Sequence, residues 1–123
     1  MTKKHILVVD DDALYLTMLS KKLLEQDYEV SEASTGREAK HSIESTSFDL
    51  VICDVSLPDI SGISLAASIK EAHQQELPFI FISAYPIHEM VEEAAHLVKN
   101  QNFFQKPFDF SILLTKVYDT VTA

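Results

Sequence analysis

Short runs of consecutive apolar residues alternate with longer stretches in which apolar residues recur every three or four positions, and the alternation repeats five times along the 123-residue chain. The runs predict strands over residues 5–9, 28–33, 50–53, 79–82 and 103–105. The helical spacing predicts helices over 13–26, 36–44, 63–74, 88–99 and 111–121. Ile6-Leu7-Val8-Val9 and Leu50-Val51-Ile52-Cys53 are apolar on both faces, the pattern of parallel strands covered by helices on each side. The run over 28–33 is the least apolar and is expected at an edge. Strands and helices in alternation make an α/β fold with a parallel sheet and crossover helices. Leu16, Leu19 and Leu23 form the expected core stripe of the first helix, and Leu114, Val117, Tyr118 and Val121 that of the last, with a partner surface as the alternative place for Tyr118. Asp12 and Asp109 stand where the N-caps of those two helices belong.

The length suits a single domain, 1–123, with one sizeable core. A formal net charge of -9, with the ten Lys and Arg scattered, makes direct binding to nucleic acid or to an anionic membrane unexpected. Cys53 is the only cysteine and lies mid-strand, which excludes a disulfide framework, fits a reducing cytosol and marks a small buried residue. No apolar run approaches ~18 residues, and the first residues lead straight into a strand, so a soluble cytoplasmic protein is expected. Gly36 and Gly62 are the only glycines, too few for a dinucleotide fingerprint or a phosphate-cradling P-loop. His5, His41, His73, His88 and His96 lack metal-ligand spacing and read as surface residues.

The chemistry lies at the strand ends. Asp10, Asp11 and Asp12 end the first apolar run, Asp54 the third, Ser83 the fourth and Lys106 the fifth. In open α/β sheets the carboxyl ends of the strands form the ligand-binding rim. Acids crowded there repel one another and take up protons unless a hard divalent cation offsets them, which points to magnesium. A carboxylate beside such a cation can accept a phosphoryl group, because metal and ammonium offset the charge on the transferring oxygens. Asp54, at the central strand, is the expected acceptor. Asp11 is then a direct magnesium ligand, Asp10 one through water, Lys106 the counter-charge and Ser83 a hydrogen-bond donor to the phosphate. Singly, these residues would be a helix cap, a surface lysine and a loop hydroxyl. Their convergence from separate strand ends gives them a joint meaning.

The pieces Val9-Asp10-Asp11-Asp12, Asp54-Val55-Ser56-Leu57-Pro58-Asp59-Ile60-Ser61-Gly62, Ser83-Ala84 and Phe103-Phe104-Gln105-Lys106-Pro107-Phe108 resemble the response-regulator receiver domain of two-component signalling, in order and over the whole chain. The resemblance implies a flavodoxin-like, doubly wound, five-stranded parallel sheet in the order 2-1-3-4-5 with five helices. It implies phosphorylation of Asp54 by a histidine kinase or phosphotransfer protein, with magnesium held by Asp11, Asp54 and the Ser56 carbonyl. It also implies a cis bond before Pro107 and a Ser83/Phe103 switch, with Ala84 beside it, that alters the face of the fourth helix, fifth strand and fifth helix. Ser83 stands where threonine is commoner, and Phe103 lacks the hydroxyl of the frequent tyrosine. Ser56 and Tyr85 occupy the positions that flank the path of the hydrolytic water, and Pro86 biases Tyr85 toward an extended backbone. A haloacid-dehalogenase-type phosphatase needs Thr or Val where Leu14 stands, and a flavodoxin loop needs hydroxyls and glycine where the three aspartates stand. A structural pseudo-receiver would typically have lost Asp54 or Lys106. The last segment offers Lys116 as its only base, unlike the charged last helix common in winged-helix regulators, so a stand-alone regulator is expected.

Overall fold

A computed structural model describes residues 2–72, 76–86 and 102–123. In chain order the elements are β1 (His5–Val9), α1 (Ala13–Glu25), β2 (Glu29–Ala33), α2 (Gly36–Ser45), β3 (Leu50–Asp54), α3 (Gly62–Ala72), β4 (Phe79–Ser83), β5 (Phe103–Gln105) and α4 (Phe110–Val121). The helix expected over 88–99 lies outside the described residues, as do His73, His88 and His96. All five strands are parallel and lie in the order β2-β1-β3-β4-β5, with the polar β2 at an edge as its composition predicts.

Side chains alternate across each strand, so β1 and β3 feed two cores at once. Leu7, Val9, Val51 and Cys53 face one way, onto a layer that includes Ala39 of α2 and Leu65 and Ile69 of α3. Ile6, Val8, Leu50 and Ile52 face the other way, onto Leu19 and Leu23 of α1 and Leu113, Val117 and Val121 of α4. Phe103 and Phe104 divide likewise, Phe103 packing on the first core and Phe104 on the second. The core stripe of α4 differs from the expected one: Leu113 is fully buried and Tyr118 is 61% exposed. Tyr118 stands about 100° round the helix from Val117, beyond the arc that reaches the sheet, whereas Leu113 and Val121 lie one turn either side of Val117. His5 also departs from a surface role, since its Nε2 lies 2.7 Å from Ser31 Oγ and its ring 4.5 Å from that of Phe48.

Capping fixes where α1 and α4 begin. Asp12 accepts the backbone N–H groups of Leu14 and Tyr15, and Asp109 that of Ser111. Backbone pairing carries the sheet slightly past its strands: Asp10 N–H donates to the Ala33 carbonyl, Val55 N–H to that of Ile82 and Lys106 N–H to that of Ser83. The rim residues are therefore held by the ladder itself.

Candidate functional site

Asp10 and Asp54 meet at the carboxyl rim because β1 and β3 are neighbours in register, Val9 opposite Cys53. Both are buried, Asp10 with no exposure at all. Each carboxylate has one oxygen tied to the backbone: Asp10 Oδ1 accepts the Asp12 N–H at 2.9 Å, and Asp54 Oδ1 accepts the Ser56 N–H at 2.7 Å. The other oxygen of each accepts from Lys106 Nζ, at 2.8 Å for Asp10 and 2.6 Å for Asp54. One ammonium thus bridges two carboxylates.

Asp11 is exposed, yet its carboxylate completes a cluster in which one oxygen from each of Asp10, Asp11 and Asp54 lies within 4.8 Å of the others. Asp10 and Lys106 shift in the same direction for different reasons. Burial, with repulsion from Asp54, pushes the Asp10 carboxyl up to about 6, although Lys106 and the Asp12 N–H pull the other way. Burial draws the Lys106 ammonium down, but its bonds to Asp10 and Asp54 outweigh that and leave it above the ordinary lysine range. Both groups hold on to their protons, Asp10 because burial disfavours its anion and Lys106 because its two carboxylate partners favour its cation.

Ser83 ends β4, one residue past Ile82, which is in register with Asp54. It is buried, and its Oγ accepts the Tyr85 N–H at 3.0 Å, a bond that does not use the hydroxyl's own proton. Ala84 and Ser56 are exposed on the rim, and Tyr85 is 59% exposed. Phe103 is half-buried opposite Phe81. The Lys106–Pro107 peptide bond is cis.

Two contacts escape a reading of strand ends. The Lys106 ammonium sits over the ring of Tyr15, 4.3 Å from its centroid, and that ring lies 5.8 Å from the ring of Phe108. Only an aromatic in the first turn after the Asp12 cap hints at this in the sequence. In the loop after Asp54, Asp59 Oδ1 accepts the Gly36 N–H at 2.8 Å and Oδ2 the Arg37 N–H at 2.9 Å, capping α2 from outside. These two N–H groups, led by Gly36, hold the Asp59 carboxyl below its ordinary range. The same loop closes on Gly62, whose N–H donates to the Val55 carbonyl at 2.8 Å. A Cβ at Gly62 would lie 2.3 Å from the Asp54 carbonyl oxygen and 2.9 Å from Cys53 Sγ, so only glycine allows this approach. Cys53 is inert, its thiol pushed far up by burial and by repulsion from Asp54 and Asp10.

A five-stranded parallel sheet in this order, with acids and a lysine gathered at its carboxyl rim, defines an α/β signalling domain of the flavodoxin-like class. The family model for the response regulator receiver domain matches residues 6–118, and the chain belongs to that family. Among curated relatives, the transcriptional regulatory protein ZraR of Escherichia coli K12 is 36% identical over 110 residues, covering 88% of this chain and 24% of ZraR. The CAI-1 autoinducer sensor kinase/phosphatase CqsS of Vibrio cholerae is 33% identical over 118 residues, covering 94% of this chain and 17% of CqsS. The chain therefore spans a quarter or less of the length of these two relatives. Among solved structures, the chemotaxis response regulator CheY4 of Vibrio cholerae superposes with a TM-score of 0.84 at 26% identity, covering 97% of this chain and 99% of CheY4. The response regulator TrrA of Thermotoga maritima, solved in complex with Mg(2+)-BeF, gives 0.77 at 31% identity, with 95% and 98% covered. Membership makes the domain a phosphoacceptor signalling switch of two-component systems and not an enzyme in its own right. Among the described residues no helix is long and apolar enough to cross a membrane.

Proposed function

We propose that Asp54 is the phosphoacceptor and that it receives its phosphoryl group in the cytoplasm from a histidine kinase or a histidine phosphotransfer protein. The observation that carries this reading is the Lys106 bridge: the ammonium lies 2.6 Å from an Asp54 oxygen, already placed to meet the negative charge that arrives with the phosphoryl group. Asp10 holds the other side of that ammonium at 2.8 Å and so aims it.

Three clustered carboxylates facing a single ammonium are the hard, oxygen-rich donor set that suits magnesium. Asp11 and Asp54 would hold the ion directly, with the Ser56 carbonyl, and Asp10 would hold it through water. Magnesium supplies positive charge that lets the acidic cluster and the phosphoryl oxygens approach. A carboxylate oxygen of Asp54 attacks phosphorus as the bond to the donor's histidine nitrogen breaks, and the histidine leaves with that electron pair. The Ser83 hydroxyl then donates to a phosphate oxygen, and Phe103 follows it inward, changing the face of β5 and α4 that a downstream protein reads.

Incubation with magnesium and acetyl phosphate, followed by a phosphate-affinity gel, tests the assignment. A retarded band is expected for the wild type and none for Asp54→Ala. A band that persists in Asp54→Ala overturns it.

A further inference from the structure

The Lys106 ammonium has three N–H donors, and two of them are spent on Asp10 and Asp54. Its remaining side faces the ring of Tyr15, with 4.3 Å between Nζ and the ring centroid. A cation at that distance over an aromatic face is attracted by the ring's quadrupole, most strongly where water is excluded. Water is largely excluded here, since the Lys106 side chain is 10% exposed and those of Asp10 and Asp54 still less.

The ring is itself held from two directions. Asp12 caps the first turn of α1 by accepting the backbone N–H of Leu14 at 2.9 Å and of Tyr15 at 3.4 Å, so the aspartate next to Asp11 sets the backbone that carries the ring. The ring also meets Phe108, tilted by 45° with 5.8 Å between centroids, and Phe108 packs against Phe104 and Phe110 at 5.9 and 5.1 Å. A lysine on a flexible four-carbon stem gains a third fixed contact from this arrangement. Packing alone would account for an aromatic against Phe108. It does not require the ring's face to lie over a charge.

We propose that Tyr15 is a positioning residue for phosphoryl transfer, its ring face holding the Lys106 ammonium against Asp54. This rests on the reading of Asp54 as acceptor and Lys106 as counter-charge. The face of the ring carries the effect, so the phenolic hydroxyl is dispensable and the electron density of the ring is not.

The test measures the rate of phosphorylation by acetyl phosphate at saturating magnesium in the full chain. Tyr15→Leu is expected to slow it about 5-fold, the scale of one partly desolvated cation–π contact, while Tyr15→Phe restores it. Replacing Tyr15 by phenylalanine bearing one, two and three ring fluorines withdraws charge from the face with little change of shape, and the rate should fall stepwise along that series. Melting temperatures should stay level across the fluorinated set. A flat series, or Tyr15→Leu at the wild-type rate, overturns the role of Tyr15 alone. A wild type that takes no phosphate on Asp54 overturns the underlying assignment, and this role with it.

Discussion

Lys106 and Asp10 lie 96 positions apart in the chain, yet the ammonium of one is 2.8 Å from a carboxylate oxygen of the other. The pairing joins the fifth strand's end to the first strand's end across β3 and β4, and Asp54 lies between them on the same ammonium. Burial of Asp10 sets the dependence on pH, and the excess of acid over base in the cluster sets the response to metal.

Asp10 has a carboxyl raised to about 6 by burial, above the 3.8 of an ordinary aspartate. Between those values the folded protein binds more protons than the unfolded chain, so stability falls as pH rises through the window. The contribution is fully present below the ordinary value and lost above the raised one, on the order of 3 kcal/mol by linkage. In magnesium-free buffer, urea midpoints of the wild type and of Asp10→Asn are expected to draw together as pH falls from about 6 to about 4. Parallel curves for the two proteins would show that Asp10 does not titrate in that window.

Asp11 is the exposed member of the acidic cluster, so its charge can be removed with little disturbance of the core. Calorimetry should find magnesium binding of modest affinity in the wild type and weaker binding in Asp11→Asn. Without metal the same variant should melt higher, because a repulsive charge is gone. Unchanged magnesium affinity would remove Asp11 from the ligand set, and a lower melting point would make it structural.

Gly62 packs against the backbone of Asp54, where a Cβ would lie 2.3 Å from the Asp54 carbonyl oxygen. Gly62→Ala must push Asp54 and Cys53 aside, at about 1–3 kcal/mol of stability by the usual scale of overpacking. Phosphorylation by acetyl phosphate should slow as well, since the acceptor carboxylate moves with its backbone. Normal stability and a normal rate together would show that the loop relaxes freely.

We infer a phosphorylated state that is long-lived for the family. Ser56 and Tyr85 offer neither an acid nor an amide to orient a hydrolytic water, and the Tyr85 ring, next to Pro86, can cover the phosphate. Combining Ser56→Asn with Tyr85→Glu should speed loss of radiolabelled phosphate about 10-fold, equal to about 1.4 kcal/mol of barrier. A wild type that loses phosphate as fast as the double variant would show that Tyr85 shields nothing.

Element order and the rim were readable from the chain because their signals are local. The short run Leu50 to Cys53, β-branched at its centre and alternating with helical stretches, reads as a strand buried on both faces, and the polar residue that ends it lands on the rim by the same geometry. The caps at Asp12 and Asp109 were equally local. Tyr118 was misplaced because periodicity defines a stripe without fixing its centre, and the centre is set by where α4 meets the sheet. The Tyr15 contact with Lys106 and the Asp59 contact with α2 join residues far apart in the chain, so neither leaves a pattern that spacing could reveal.

The loop after Asp54 is moored toward α2. Gly62 is wedged beneath Asp54, Ser56 pairs with Ser61, and Asp59 grips the first turn of α2 with both carboxylate oxygens. Toward β4, Ser83 Oγ accepts the Tyr85 N–H, which leaves its own proton available to a phosphate oxygen. On the proposed reading, a phosphate on Asp54 would meet fixed contacts on the α2 side and, on the β4 side, a Ser83 hydroxyl whose proton has no acceptor among the described residues. On the proposed assignment of Asp54 as acceptor, this anchorage directs the work done there toward β5 and α4.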